Sequence, residues 1–282
     1  MSRSHLRKRL AQHEAAPSDF VMSLSLLADH LNARFPALPA GERLAALRAA
    51  VSGRVVFTTS FGLEDQALVH LIAQAGLPIE VATLDTGRLF PQTHEVWRRT
   101  EARYGLRVRA YYPEREALES LVAEQGVDGF YESVARRHAC CGVRKVAPLA
   151  RALAGAQAWV TGLRASQSDN RAGMAFVEWD EARGLLKVNP LLDWTREETA
   201  DFCARHDAPV NALHAQGFPS IGCAPCTRAV APGEDERAGR WWWEASDKEC
   251  GLHVDAQGRL VRARAPQNGA AKEGAAKGPV DP

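Results

Sequence analysis

The chain has 282 residues, 46% of them hydrophobic, and a formal net charge of +1. That length and apolar content suffice for one sizeable core. The near-neutral charge excludes a general nucleic-acid binder as the natural reading, and the lack of an apolar run of about eighteen residues excludes a membrane span. The basic start, MSRSHLRKRLAQHEAAP, lacks the apolar stretch of a signal peptide, so residues 1–18 read as a flexible tail and the protein as cytoplasmic.

The segments DFVMSLSLLADHLNARF and GERLAALRAA have helical apolar spacing. GRVVFTTSFGLEDQALVHLIAQAG opens with a β-branched run, turns at TSFG and continues as an amphipathic helix. LPIEVATLDTG repeats the pattern, with a strand ending at Leu84. HEVWRRTEARYG is helical, LRVRAYY strand-like, REALESLVAEQG helical, and VRKVAPLARALAG leads to a strand in AWVTGL. This alternation predicts an α/β fold with a doubly wound, mostly parallel sheet and helices on both faces. Farther on, short extended segments flank a DEARG turn, and Thr195 with Glu198 forms a capping box. From Ala263 onward the Ala/Gly/Pro/Lys-rich end has little to bury and reads as disordered. Without a clear interdomain linker, a single domain with appended tails is expected.

TTSFGLEDQ falls at a strand-to-helix junction. Thr58, Thr59 and Ser60 offer hydroxyls, Gly62 permits a tight turn, and the helix N-terminus offers free N–H groups to an anion. An N-capped helix after a buried strand explains the same stretch equally well. Two further strand ends carry polar loops: Asp85, Thr86 and Arg88, then Thr161, Gly162, Arg164 and Arg171. In open α/β sheets, ligands bind outside the carboxyl ends of strands, so three such loops predict a cleft for an anionic nucleotide. Positive charge clusters at Arg136, Arg137, Arg144 and Lys145, and again at Arg237 and Arg240. For any one of these arginines, a solvated face is the competing reading.

Six cysteines occur. A disulfide scaffold fits poorly with a long chain lacking an export signal, and vicinal cysteines rarely pair. Cys203 falls on a predicted helix and reads as a packed core thiol. Cys140/Cys141 and Cys223/Cys226 supply four thiols whose spacing leaves zinc and an iron–sulfur cluster open. Cys250 stands apart in SDKECGLH, near the end of the chain.

SFGLED, LDTGRLF, CCGVRKVAPL, TGLRASQSDNR, GCAPCTR, RAGRWWWE and KECGLH occur in this order. Together, over about residues 45–253, they resemble the assimilatory sulfonucleotide reductases of the iron–sulfur type, within the adenosine 5′-phosphosulfate (APS) and 3′-phosphoadenosine 5′-phosphosulfate (PAPS) reductase family. The resemblance implies a fold like that of the adenine-nucleotide α-hydrolases. It implies one [4Fe–4S] cluster per chain on Cys140, Cys141, Cys223 and Cys226, with no flavin or nicotinamide. It makes Cys250 the nucleophile that forms an S-sulfocysteine, with AMP as leaving group and thioredoxin as the partner that releases sulfite. APS is the expected substrate and PAPS the alternative; a homo-oligomer suits the family. Ser60, Gly62, Asp85, Thr86, Lys145, Arg164, Arg171, Arg237 and Arg240 are the candidate substrate-binding residues. The organisation is then a nucleotide and cluster domain over 19–240, a mobile segment over 241–260 carrying Cys250, and a tail over 261–282. His253 is a candidate base or nucleotide contact, and Trp241, Trp242 and Trp243 divide between anchoring that segment and facing thioredoxin. A non-catalytic metal- and nucleotide-binding protein is the remote alternative; it leaves Cys250 without a role.

Overall fold

The computed structural model describes residues 17–168 and 171–244. Helices α1 (Pro17–Arg34) and α2 (Ala40–Ala50) precede β1 (Arg54–Thr59), α3 (Leu63–Gln74), β2 (Glu80–Leu84), α4 (Pro91–Tyr104), β3 (Arg109–Tyr111) and α5 (Arg115–Gln125). Then come α6 (Val134–Cys141), a π-helical turn at Gly142–Val146, α7 (Ala147–Leu153), β4 (Ala156–Val160), the hairpin β5 (Val177–Asp180) and β6 (Leu185–Val188), and α8 (Arg196–Arg205). The six strands form one sheet in the order β3-β2-β1-β4-β6-β5, parallel except for the edge strand β5. The expected doubly wound, mostly parallel α/β fold is the fold observed.

Side chains alternate across the sheet with period two. Val55 and Phe57 of β1, with Ala158 and Val160 of β4, enter the larger core, which also holds Leu31, Leu44 and Leu68. Val56 and Trp159 point the other way, into a smaller core with Leu149 and Leu153 of α7. A strand apolar on both faces is one buried between two helical layers, which explains why β1 reads as a continuous hydrophobic run. The capping box is present at α8: Thr195 Oγ1 accepts from the Glu198 amide, and the Glu198 carboxylate accepts from the Thr195 amide. Cys203 on that helix is buried, as expected. Among the described residues no helix is long and apolar enough to cross a membrane.

The chain leaves β1 toward β2 on one side, while β4 joins β1 on the other. The carboxyl ends of these strands therefore bound a crevice where the winding direction reverses, the position at which such sheets bind ligands.

Candidate active site

The turn after β1 departs from expectation. Phe61, not Gly62, adopts the left-handed conformation (φ 61°), a costly state for a bulky side chain. Compensation comes from burial: Phe61 is 1% exposed and stacks on Trp97, with ring centroids 5.5 Å apart. Gly62 caps α3 without a side chain. Asp65, in the first turn of that helix, reaches back so that one oxygen accepts from both the amide (2.6 Å) and the hydroxyl (2.8 Å) of Ser60. Burial pushes the Asp65 carboxyl up to about 6 despite these bonds. Gly162, after β4, is a close-approach glycine, because a Cβ there would lie 2.5 Å from Asp65 Oδ1.

A cavity of about 220 Å³ opens over these strand ends. The structure brings Ser60, Gly62, Thr86, Lys145, Arg171, Arg237 and Arg240 together around it. Asp85 and Arg164 are outside the lining. Asp85 shapes its own loop by accepting from the Gly87 amide and facing His94 Nε2 at 3.2 Å. Arg164 is fully buried and binds Glu64, Ser166 and both oxygens of Glu236. Glu236 also meets Arg196 of α8, so Arg164 ties the segment before Arg237 to the start of α3. Sequence reasoning overlooked the acidic lining of Glu64, Asp65 and Glu236. For Asp65 a signal existed: a carboxylate in the first turn of a helix is placed to reach back to unsatisfied amides.

The cysteine corner adjoins this cavity. α6 ends in Cys140 and Cys141, and the π-helical turn that follows carries Arg144 and Lys145. Such turns widen a helix by one residue and recur at functional sites. CAPC forms a short 3₁₀ turn, Cys223 at its start and Cys226 at its end. The loop after β2 joins the two regions: Thr86 Oγ1 lies 3.2 Å from Cys223 Sγ, the Thr86 carbonyl accepts from Arg144, and the Arg88 carbonyl accepts from the Ala224 amide. Cys141 and Cys226 pack with Trp241 and Trp243. None of the four corner cysteines forms a disulfide among the described residues. Burial raises the Cys140 thiol and pushes Cys226 up to about 11; Cys223 acts on both in the same direction, while Arg144 draws Cys140 down and Lys145 and Arg240 draw Cys226 down.

No three His, Cys, Asp or Glu side chains among the described residues are grouped to hold a single metal ion. Several buried donors surround the thiols with no hydrogen-bond partner among the described residues: Arg144 Nε, Arg240 Nε, Trp241 Nε1 and Trp243 Nε1. A set of thiols with cations and orphaned donors fits the chemistry of an anionic group bearing acceptor sulfurs.

The tryptophans divide clearly. Trp241 is buried between Arg137 and Arg240, whose guanidinium carbons lie 4.6 and 4.8 Å from its ring centroid. Trp243 packs on Phe130 and Tyr131, and Trp242 is exposed. Gly239 presses against the Arg228 carbonyl, where a Cβ would collide. Cys250, with Lys248, Gly251 and His253, lies outside the described residues.

A mostly parallel α/β sheet with a cation-bearing cavity at its switch point and a cysteine corner beside it has the layout of a nucleotide-site α/β protein, and comparisons with known proteins give its family. The structure resembles the crystal structure of phosphoadenylyl-sulfate (PAPS) reductase from Candida auris in a phosphate complex, at 28% identity and a TM-score of 0.62, covering 72% of this chain and 96% of that one. Residues 54–229 match the phosphoadenosine phosphosulfate reductase domain. Adenosine 5′-phosphosulfate reductase of Sinorhizobium fredii (strain USDA 257) is 55% identical, over 82% of this chain and 92% of its own. The protein of the same name from Allochromatium vinosum is 56% identical, over 71% and 78%. The chain belongs to the phosphoadenosine phosphosulfate reductase family, and it is an enzyme.

Proposed function

We propose that the protein reduces adenosine 5′-phosphosulfate to sulfite and AMP in sulfate assimilation, through an S-sulfocysteine on Cys250 that thioredoxin resolves. The observation that carries this reading is the junction at Thr86 and Cys223, where a cavity lined by Lys145, Arg171, Arg237 and Arg240 meets the cysteine corner. The names of the relatives, adenosine 5′-phosphosulfate reductase, support the choice of substrate.

Four residues divide the work of binding: the cations of Lys145, Arg171, Arg237 and Arg240 hold the phosphate and sulfate oxygens. The Cys250 thiolate attacks the sulfonate sulfur, the bond from that sulfur to the bridging oxygen breaks, and AMP leaves with the electron pair. The guanidinium groups stabilise charge gathering on the departing phosphate. The ionised thiol needs no base for this displacement. Cys140, Cys141, Cys223 and Cys226 would hold a [4Fe–4S] cluster. When bound, that cluster cross-links the two cysteine segments and sets negative charge beside Arg144 and Lys145.

Incubation with sulfur-labelled adenosine 5′-phosphosulfate tests the proposal. A sulfonated adduct on Cys250, released as sulfite by reduced thioredoxin, is the expected result; an adduct that persists in Cys250→Ser overturns the nucleophile. Comparing kcat/KM on the two sulfonucleotides tests the substrate, and a strong preference for the 3′-phosphorylated one overturns it.

A further inference from the structure

Trp242 stands out from its neighbours. It is 39% exposed, although Trp241 is 1% exposed and Trp243 packs inward. Beside it lies Tyr131, 38% exposed, with ring centroids 6.4 Å apart. Val134, at the start of α6, is equally exposed. The patch is built rather than loose. Trp243 meets Trp242 nearly at right angles (88°, 5.0 Å) and Tyr131 at 67° (4.5 Å), while Phe130 lies 4.5 Å from Tyr131. The Tyr131 hydroxyl donates to the Pro225 carbonyl at 2.7 Å, which fixes the array to the CAPC turn. Exposed aromatic groups held rigidly over a packed base are the usual anchors of protein interfaces.

The length of chain beyond the patch indicates what covers it. Cys250 follows Glu244 by six residues. At an extension of about 3.5 Å per residue, its sulfur reaches no farther than roughly 24 Å from the Glu244 Cα. A cavity of about 220 Å³ cannot admit a protein, so a protein reductant must meet Cys250 outside it, within that radius. Trp242 precedes Glu244 by two residues and therefore lies inside the radius.

We infer that Trp242, Tyr131 and Val134 form the docking surface for the protein dithiol that resolves the Cys250 adduct. The inference rests on the proposed function. The partner presents an apolar rim around its reactive thiol to the two rings. One of its thiolates attacks Cys250 Sγ, the bond from that sulfur to the sulfonate breaks, and sulfite leaves with the electron pair. Its second thiolate attacks the mixed disulfide and frees Cys250. The dithiol loses two electrons and two protons to become a disulfide. The sulfonate sulfur gains the two electrons, and the protons pass to Cys250 and solvent.

The test compares full-length, cluster-containing Trp242→Ala with wild type by three measurements. These are dependence of turnover on reduced thioredoxin, turnover driven by dithiothreitol, and single-turnover release of AMP. The expected result is a KM for thioredoxin raised about ten-fold or more, with the other two rates unchanged. Val134→Asp, at an exposed helix start, should show the same split and serves if Trp242→Ala folds poorly. An unchanged KM for thioredoxin in both variants overturns the inference. Slowed AMP release alone would assign the patch to the chain's own C-terminal segment, and dissociation of an oligomer alone would assign it to a second copy; either overturns it too. A wild-type protein that releases no AMP from adenosine 5′-phosphosulfate sinks the underlying function, and the docking assignment with it.

Discussion

Two thiols in this molecule are both raised by desolvation and differ in exposure and neighbours: Cys203 is buried and Cys226 half-buried. Cys203, between α8 and α3, is pushed up to about 12 by burial, with Glu64 acting in the same direction; its thiol faces the Leu63 carbonyl at 3.5 Å. Cys226 is pushed up to about 11 by burial, yet Lys145 and Arg240 oppose the shift and Cys223 and Cys140 accompany it. Burial makes both thiols poor nucleophiles. Only the second has the cations and companion sulfurs that let several thiols ionise together around a positive group. A cysteine becomes a ligand through its neighbours, not through its depth.

The sharpest way to break this comparison is to remove one thiol of the corner. Cys223→Ser should abolish the visible absorption of the cluster and the bound iron; a full four-iron signal in the variant would refute the assignment of the corner. The arginines offer a second contrast. Arg240→Ala removes a cavity cation and should lower kcat/KM on the order of 100-fold with the cluster retained. Arg164→Met leaves Glu64 largely buried without its partner and Glu236 with Arg196 alone, so it should destabilise the fold by about 3 kcal/mol, read by denaturant unfolding. Equal loss of stability in both variants would erase the distinction between binding and structural arginines.

Asp65 adds a dependence on pH. Its folded value of about 6 lies above the ordinary 3.8, so between these values the folded state holds more protons than the unfolded state. Stability therefore falls as pH rises from about 4 to 6 and is level above that. Asp65→Asn should remove the slope, and its advantage over wild type should grow across this window by up to about 3 kcal/mol. Parallel stability curves for the two proteins would contradict the raised value. The smallest effect belongs to Cys203→Ala. A small cavity should lower stability by about 1 kcal/mol and leave the cluster absorption untouched.

Most of the framework is legible before folding. The continuous apolar run at Val55, Val56 and Phe57 and the helical spacing that follows it are local patterns, and each strand end at the cavity carries its polar loop in sequence. What stays illegible depends on partners far along the chain. Arg164 and Arg171 look equivalent in TGLRASQSDNR, yet Glu236 takes one away from the cavity and leaves the other in its lining. Asp85 sits in a promising loop, but its carboxylate is spent on the Gly87 amide. Three adjacent tryptophans cannot be told apart by composition; the guanidinium groups of Arg137 and Arg240 select Trp241 for burial.

The order of the elements, the parallel sheet and the inventory of thiols and cations follow from the sequence by itself, because they arise from short-range periodicity and residue chemistry. The tertiary structure alone decided which cations reach the cavity, that the cysteine corner touches it through Thr86 and Cys223, and that Trp242 faces outward. The physical reason is that burial and charge pairing are properties of contacts made across about one hundred residues or more, as Thr86 makes with Cys223, and no local pattern encodes them.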